Sequence, residues 1–383
     1  MNFSKEEFDT RVAATRRTLI ERDLAALLIF GQESHYYLTG YDSSGFVFFQ
    51  VAVLTADEQP ITLLCRRPDV AQARDTSTVD DVRVWLNAEG ANPALDLKSI
   101  MQEKGLAGQR VGIELDTYGL TAANYRLVEN AVAGFCELED GSDIVRAQRL
   151  VKSETELTYT RKAGQLADAA VQAMFARAEP GALETELTSA GNAAILSGGG
   201  DVAPADPLVN SGPRAVYGRS VGAPRTLTAN DQILVELAGT YRRYNVCIER
   251  TLILGELSQA QREQHAIVKE AQEACLAAFR PGEPLGQVDE VHRKILDAAG
   301  FSEQRFAACG YSLGATFRPS WMDVPPMIYT GNPLEMRPGM VFFPHVMLGD
   351  KSTGIAVGLG NTVVVTDTGS ESMSKLPLDL MIK

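Results

Sequence analysis

The sequence has little of what marks secreted, membrane or disulfide-rich proteins. No apolar run approaches the roughly 20 residues that a transmembrane helix needs. The opening stretch, MNFSKEEFDTRV, contains no apolar signal-peptide core. The five cysteines form no CxxC pair, which argues against a disulfide framework and against a thiolate zinc knuckle. We therefore expect a cytoplasmic protein that does not act at a membrane.

Basic residues are also scarce relative to acidic ones. The chain has 36 Lys and Arg against 49 Asp and Glu, which gives a formal net charge of −13. Nucleic acids and anionic membranes are bound by clustered Lys and Arg, so neither is an expected partner. With 45% hydrophobic and 22% charged residues, the composition is that of a folded globular protein.

The length of 383 residues suggests two domains. Residues 1–147 are expected to form an α/β domain, because short apolar runs alternate with helical stretches. Residues 148–383 form the second predicted domain. In the first domain the candidate helix covers 5–22, and the candidate strands cover 25–30, 47–53, 61–65 and 110–114.

The second domain starts with a strong helix signal. Ser153 followed by Glu156 forms a capping box, in which each side chain satisfies a free amide of the helix start. This predicts a helix over about residues 154–178 that ends at Pro180-Gly181.

The same pattern returns later in the chain. Ser258 with Gln261 is a second capping box, and its helix ends at a Pro-Gly pair 101 residues after the first. In each copy a second helical stretch and then an apolar strand follow, the strands at 230–236 and 338–343. Matching offsets predict two structural repeats related by a pseudo-twofold axis. A chance recurrence of common helix punctuation is the alternative.

Short motifs follow one another along nearly the whole chain. They are YYLTGY (36–41), VKSETEL (151–157), SGP (211–213), VELAG (235–239), ERT (249–251), GYSLG (310–314) and PGM (338–340). Their order resembles that of the creatinase/aminopeptidase P/prolidase superfamily. The resemblance implies a creatinase-type α/β domain followed by a pseudo-twofold pita-bread domain. It also implies a homodimer in which the N-terminal domain contributes to the partner's site.

The metal ligands of that superfamily are replaced in this chain. Metallopeptidase members hold two metal ions with two Asp, one His and two Glu, and activate a water between the ions. The resemblance assigns these positions to Glu236, Cys247, Tyr311, His345 and Gly360. One carboxylate remains where a dinuclear site needs four, so a standard dinuclear site is not expected. We expect neither a metal nor another cofactor.

The chain is more similar to the metal-free creatinase and ectoine hydrolase branch. The segment CIERT (247–251) resembles a creatinase motif in which Glu249 corresponds to a substrate-binding Glu. The general acid/base His of creatinase corresponds here to Arg219, which stays protonated and cannot exchange a proton at neutral pH. Arg219 is therefore expected to bind an anionic group or to pair with Glu236 or Glu249.

His345 is the best candidate for the displaced proton transfer. It follows an apolar strand at a position that points into the cavity in the superfamily, and imidazole titrates near neutral pH. A core histidine bonded to a backbone carbonyl is the alternative. His265 and His292 lie in polar helical stretches and are expected to be solvated or structural. His35 is expected to pack within the N-terminal domain, with a role at a site as the alternative.

Further residues are expected to line a pocket for a small molecule. Glu249 would fix the tautomer of the His345 imidazole or bind a cationic group of the substrate, with an ion pair to Arg250 or Arg219 as the alternative. Glu236 would bind a cationic group, with burial against Arg219 as the alternative. Tyr311 would donate to a developing oxyanion or would fill the vacated metal volume. Cys247 is either a nucleophile activated by a nearby His or Arg, or a small buried apolar residue. Weaker candidates are Arg318, Trp321, Arg66 and Arg67.

The sequence therefore predicts a metal-independent hydrolase of a non-peptide C–N bond, amide or amidine, in a small zwitterionic metabolite. His345 and Glu249 would be its catalytic residues. One alternative is an atypical metal-dependent Xaa-Pro peptidase or lyase with a zinc ion on Glu236, Cys247 and His345. The other is a binding protein on the same fold without activity.

Overall fold

A computed structural model describes all 383 residues of the chain. It divides into two compact units, Met1–Arg149 and Leu150–Lys383. The sequence prediction had placed the division after residue 147. None of the helices is long and apolar enough to cross a membrane.

The first unit alternates helices and strands. Its helices are α1 (Lys5–Glu21), α2 (Gln32–Thr39), α3 (Val70–Thr76), α4 (Pro93–Glu103), α5 (Ala122–Val132) and α6 (Ser142–Arg149). Its strands are β1 (Ala26–Ile29), β2 (Val51–Thr55), β3 (Thr62–Arg66), β4 (Asp81–Trp85), β5 (Arg110–Ile113) and β6 (Glu137–Asp140). The six strands form one mixed sheet in the order β4-β3-β2-β1-β5-β6.

The sheet of the first unit is buried on both faces. Successive side chains of a strand point to opposite faces. In β1 and the residue after it, Ala26, Leu28 and Phe30 pack in one hydrophobic cluster. The intervening Leu27 and Ile29 pack in another. The nearly continuous apolar run is thus explained by two cores, one on each side of the strand.

The second unit contains four helices and ten strands. Its helices are α7 (Glu154–Arg177), α8 (Glu184–Ser197), α9 (Gln259–Ala278) and α10 (Gly286–Ala298). Its strands are β7 (Leu208–Ser211), β8 (Asp231–Tyr241), β9 (Tyr244–Leu254), β10 (Gly310–Leu313), β11 (Met322–Ile328), β12 (Val341–Asp350), β13 (Ile355–Asn361), β14 (Val363–Val365), β15 (Ser370–Ser372) and β16 (Met381–Ile382).

The second unit has the predicted internal repeat. Helices α7 and α8 precede β7, β8 and β9, and helices α9 and α10 precede β10, β12 and β13. The main path of the sheet runs β11-β10-β12-β13-β9-β8-β7, so the two halves meet where β13 pairs antiparallel with β9. Both capping boxes are formed, at Ser153 and at Ser258. The two-domain creatinase and pita-bread fold class is confirmed.

A tight turn sets the register of β8 against β9. Arg242 and Arg243 connect the strands with φ values of 50° and 69°, the backbone region that a two-residue hairpin turn requires. The Arg243 amide donates to the Asp201 carboxylate at 3.0 Å, and its carbonyl accepts from the Thr316 amide at 3.1 Å. These contacts hold a conformation that non-glycine residues rarely adopt. As a result Glu236 lies directly opposite Glu249.

Candidate active site

A row of residues in register crosses four strands at the centre of the second unit. Glu236 on β8 pairs with Glu249 on β9, Glu249 pairs with Gly360 on β13, and Gly360 pairs with His345 on β12. Directly opposed residues of antiparallel strands point to the same face of the sheet. Because the third member is a glycine, the side chains of Glu249 and His345 meet across it.

His345 and Glu249 form a hydrogen-bonded pair. Nδ1 of His345 lies 3.1 Å from Oε2 of Glu249, and the side chains are 14% and 1% exposed. Burial by itself lowers the pKa of His345, but the hydrogen bond to Glu249 and the charges of Glu249 and Glu236 outweigh it and raise the pKa. The pair fixes the ring and leaves Nε2 as the nitrogen for exchange of a proton.

Two neighbouring glycines make room for this pair. A Cβ at Gly358 would lie 2.2 Å from Oε1 of Glu249, and a Cβ at Gly360 would lie 2.8 Å from Cβ of His345. Both distances are shorter than real Cβ contacts. The absence of side chains at these two positions is therefore what lets Glu249 and His345 approach each other.

Glu236 is the second carboxylate of the site. The Tyr311 hydroxyl donates to its Oε1 at 3.1 Å, and the indole Nε1 of Trp321 donates to the Tyr311 oxygen at 2.8 Å. Burial is the main cause that raises the pKa of Glu236, to about 7, and the charge of Glu249 adds to it against the lowering effect of His345. Glu236 therefore exchanges a proton near neutral pH, and it lies beside His345, whose own pKa is raised.

Cys247 does not have the properties of a nucleophile. Its side chain is fully buried, and burial together with the charge of Glu236 raises the pKa of its thiol well above the ordinary value. A thiol in this state is not a thiolate at neutral pH. The amide of Cys247 donates to the Thr362 hydroxyl at 2.9 Å, and that hydroxyl donates to the Cys247 carbonyl at 2.8 Å. The interpretation of Cys247 as a small buried residue fits, and the proposals of nucleophile and substrate ligand do not.

The predicted arginines occupy exposed positions. Arg219 is exposed in the loop between β7 and β8 and makes no hydrogen bond or ion pair, so it pairs with neither Glu236 nor Glu249. Its charge nevertheless acts on both Glu236 and His345, which places it near them. Arg318 is also exposed and unpaired, but no contact connects it with the row. Arg250, named as a possible partner of Glu249, donates instead to the Glu249 and Gly360 carbonyls, at 2.7 and 2.8 Å.

A small pocket opens onto the two carboxylates. Its empty volume is about 190 Å³, including the part open to solvent. Its lining combines apolar side chains with polar ones: Leu208, Asn210, Tyr217, Gly218, Leu234, Glu236, Glu249 and Met347. His345 does not line the pocket and is connected to it through Glu249. Tyr311 and Trp321, predicted as substrate ligands, do not line it either. Tyr311 donates a hydrogen bond to Glu236, and Trp321 donates one to Tyr311.

The residues present do not fit a pair of metal ions. Of the five superfamily ligand positions, only Glu236 offers a carboxylate, and a side chain at Gly360 would collide with the Phe343 ring at 2.5 Å. The rings of Phe343 and His345 are stacked with centroids 5.0 Å apart, and the Tyr311 ring lies 5.5 Å from Phe343. These aromatic rings pack beside positions where the superfamily places metal ligands.

The residues present fit a single metal ion better than a pair. Glu236, Glu249 and His345 each offer a ligand atom, and these atoms lie within 4.8 Å of one another. Two carboxylate oxygens and one imidazole nitrogen suit a single divalent ion with open positions. The three-ligand set that the sequence suggested is corrected here, because Glu249 rather than Cys247 completes it.

The other predicted residues lie elsewhere. His345 lies inside β12, which continues to Asp350, and does not follow a strand end. His265 is bonded to the Leu378 carbonyl at 2.9 Å. His292 is buried against Asp289, which fits the structural alternative of its prediction and not the solvated one. His35 is buried in the first unit, and burial lowers its pKa to about 3. In the same unit, Arg66 packs over the Phe48 ring at 3.8 Å.

Sequence reasoning missed the aromatic surroundings of His345. Phe343 stacks on the imidazole, and the Phe306 ring lies 6.2 Å from it. The alternation of a strand puts Phe343 and His345 on one face, so the spacing of the two residues was a usable signal for the first of these contacts. Phe306 lies in a loop and carried no such signal.

Comparison with known proteins agrees with this architecture. The model of metallopeptidase family M24 matches residues 158–367, and the model of the creatinase/prolidase N-terminal domain matches residues 11–151. The chain belongs to metallopeptidase family M24. It is a hydrolase of this family that carries the creatinase/prolidase N-terminal domain.

Several M24 relatives match along the full length. An ectoine hydrolase of Halomonas elongata is 24% identical over 398 residues, covering 100% of this chain and 98% of that protein. A hydrolase/peptidase of Sinorhizobium fredii without a characterised activity is 26% identical, covering 100% and 99%. Among solved structures, dipeptidase PepE from Mycobacterium ulcerans has a TM-score of 0.84 at 25% identity, with 99% of both chains covered. The prolidase of Pyrococcus horikoshii, at 23% identity and a TM-score of 0.83, shares the fold.

Proposed function

We propose that this M24 member is a metal-independent hydrolase of a non-peptide C–N bond, amide or amidine, in a small zwitterionic metabolite. The observation that carries the proposal is the Glu249–His345 pair beside the pocket, with Nδ1 and Oε2 at 3.1 Å. A histidine oriented by a buried carboxylate is an arrangement suited to transferring protons in hydrolysis. Four of the five superfamily metal-ligand positions carry a residue of another type. This supports a reaction that does not depend on two metal ions.

In this mechanism Nε2 of neutral His345 takes a proton from a water molecule as the water attacks the amide or amidine carbon. The C–N bond then breaks, and the imidazolium returns the proton to the leaving nitrogen. Glu249 keeps Nδ1 protonated and stabilises the imidazolium that forms, which makes it a positioning residue rather than a direct participant. This is one of the two roles that the sequence suggested for Glu249, the other being to bind a cationic group of the substrate.

The two ends of the substrate would be held by opposite charges. Ionised Glu236 faces the pocket and suits a cationic group, while Arg219 near the site suits a carboxylate. The full-length similarity to a protein named ectoine hydrolase supports a small zwitterion as the substrate.

The mechanism predicts that activity rises with pH. His345 must be neutral to accept the proton, and its pKa is raised. Glu236 must be ionised to hold a cation, and its pKa is about 7. The rate kcat/KM should therefore increase through neutral pH. A profile already flat from pH 5 to 8 would contradict the assignment of both residues.

The deciding experiment combines metal analysis with a substrate screen. Purified protein is analysed for metals, treated with a chelator and assayed with a panel of cyclic amidines, N-acyl diamino acids, guanidino acids and Xaa-Pro dipeptides. We expect turnover of a zwitterionic amide or amidine that survives chelation. Activity that is lost on chelation and restored by metal, together with a metal equivalent that disappears in His345→Gln, sinks the proposal. Ligands that raise Tm but are never turned over indicate a binding protein.

A second candidate function rests on the cluster of three ligand atoms. Glu236, Glu249 and His345 would hold a single divalent ion, which would supply an activated water for hydrolysis of an amide or peptide bond. The names of Xaa-Pro dipeptidases among the relatives fit this candidate. A His345→Gln variant separates the two: it removes bound metal under the second candidate and leaves the metal content unchanged under the first.

The assembly is also a proposal. We infer from the resemblance a homodimer whose N-terminal unit contributes to the partner's site, with Arg66 and Arg67 as the residues to test. Light scattering of the purified protein gives the mass. Arg66→Ala should then raise KM for the identified substrate without changing that mass.

A further inference from the structure

A second group of ionisable side chains lies in the core of the second unit. Asp289 and His292 belong to α10, and Cys309 directly precedes β10. All three residues are buried, and one ligand atom from each lies within 4.8 Å of the others. The proposed reaction uses none of them.

The first two residues already have the separation of ligands on one ion. They are three positions apart on α10, so their side chains lie on the same face of the helix. Nδ1 of His292 lies 3.1 Å from Oδ1 of Asp289. With metal–ligand bonds of about 2.0–2.1 Å, neighbouring ligands of a tetrahedral zinc ion lie roughly 3.3 Å apart. Only small movements would therefore bring both atoms onto one ion.

A fourth candidate ligand lies next to these three. Cys275 on α9 is buried, its thiol interacts with the sulfur of Cys309, and it donates to the Val288 carbonyl at 3.7 Å. Its sulfur lies outside the group of atoms that are within 4.8 Å of one another, so it would have to move toward the ion. One oxygen, one nitrogen and two sulfurs are ligand types that zinc takes. All four residues are buried, so a substrate could not reach an ion held here, as is typical of structural zinc.

The surroundings orient Asp289 for such a role. The amide and hydroxyl of Thr330 donate to its Oδ2 at 2.9 and 2.7 Å, which leaves Oδ1 toward His292. Hydrogen bonds of this kind fix metal-binding carboxylates from outside the ligand shell. The one ion pair of Asp289 is with His292. No lysine or arginine is bonded to Asp289, and Arg305 acts on it only through its charge, so a bound cation would supply a direct charge partner.

We propose that Asp289, His292, Cys309 and Cys275 form a closed structural site for one Zn²⁺ ion. The site joins α9, α10 and the residue that leads into β10, the strand of Tyr311. It does not depend on the proposed reaction, because no step of that reaction uses a metal ion.

The test measures zinc on the intact protein. After expression with added zinc and gel filtration, we expect one zinc per chain. Replacement of the zinc by Co²⁺ should give a near-ultraviolet thiolate-to-cobalt absorption band, since two ligands are sulfurs. Cys309→Ser should lose both the zinc equivalent and the band. His292→Asn serves as a second variant should Cys309→Ser fail to fold, and should lose the zinc as well.

Two controls locate the ion. Cys65→Ser removes a buried thiol of the first unit and should keep the zinc and the band. His345→Gln alters the candidate active site and should also keep both. Protein that retains no zinc after gel filtration overturns the proposal. A zinc equivalent that survives Cys309→Ser but is lost in His345→Gln also overturns it, and assigns the ion to the candidate active site instead.

Discussion

The second unit contains two histidine–carboxylate pairs that are alike in geometry and differ in access. His345 lies 3.1 Å from Glu249 and His292 lies 3.1 Å from Asp289, each through Nδ1. The His345 side chain is 14% exposed and its partner borders a pocket, whereas the His292 side chain is 2% exposed inside the core. The comparison teaches that access to solvent, rather than the identity of the paired groups, separates a candidate reagent from a structural element.

The two pairs also differ in the chemistry of their neighbours. Glu236 lies beside His345 and Arg219 acts on it through its charge, so this pair stands among groups that suit a charged ligand. The pair in the core is surrounded by thiols and by Thr330, which suit a fixed ion or a permanent network. The following predictions set the two pairs against each other.

The largest effect is expected at the pair of His345 and Glu249, beside the pocket. His345→Gln removes the proton-transfer group and should lower kcat for the identified substrate by about 10²–10⁴-fold, because that is the usual contribution of general acid–base catalysis. His265→Gln is the matched control, since His265 is bonded only to a backbone carbonyl, and it should change kcat little. A His345→Gln enzyme with near-normal kcat would remove His345 from the mechanism.

A substitution at the core pair, His292 and Asp289, should change the free energy of unfolding. His292→Gln removes the imidazole that is hydrogen-bonded to the buried Asp289 carboxylate, and should lower the free energy of unfolding by about 2–3 kcal/mol. Urea unfolding followed by circular dichroism measures this change. His345→Gln, at the pair beside the pocket, should lower the free energy of unfolding by less than half as much. Equal costs at the two histidines would show that access does not distinguish the pairs.

Arg219 should affect binding more than turnover. Arg219→Gln removes an exposed cation near Glu236, and the loss of a charge-assisted contact should raise KM by about tenfold with little change in kcat. Arg318→Gln is the control, because Arg318 is also exposed and unpaired but has no contact with the row. Similar KM values for the two variants would contradict the role of Arg219 as an anion ligand.

The smallest effect concerns pH and Glu236. Its pKa is raised in the folded state from 4.5 to about 7. The folded state therefore binds the proton more tightly, and stability from this group is lost as pH rises from about 4.5 to 7. Glu236→Gln removes this loss, so its stability relative to the natural protein should improve by about 1 kcal/mol from pH 5 to pH 6. Glu256→Gln, at an exposed carboxylate, should show no such trend.

The sequence predicted features that depend on local chemistry or on order along the chain. The capping boxes at Ser153 and Ser258 are formed by residues three positions apart, so they can be identified without a structure. The repeat of the second unit follows from spacing. The order of motifs was enough for the fold class, and the M24 and creatinase N-terminal models match the same chain.

The pairing of side chains could not be predicted in the same way. Glu249 and His345 are 96 positions apart and meet only because β9, β13 and β12 pair in one register. The sequence offered both the His345 imidazole and an arginine as partners of Glu249, and the register selected the histidine. Cys247 was predicted as a possible nucleophile or substrate ligand, because the position of a residue in a motif does not show whether its side chain is exposed. Trp321 was predicted to bind the substrate. Its hydrogen bond to Tyr311 depends on how the chain connects β10 to β11, which the sequence does not show.

The seam between β9 and β13 has one more consequence. Glu249 comes from the first structural repeat and His345 from the second, so neither half alone contains the pair. Catalytic competence would then report on the assembly of the two halves. A chain cut between them would regain activity only when the separate fragments recombined, which makes turnover a direct assay for their association.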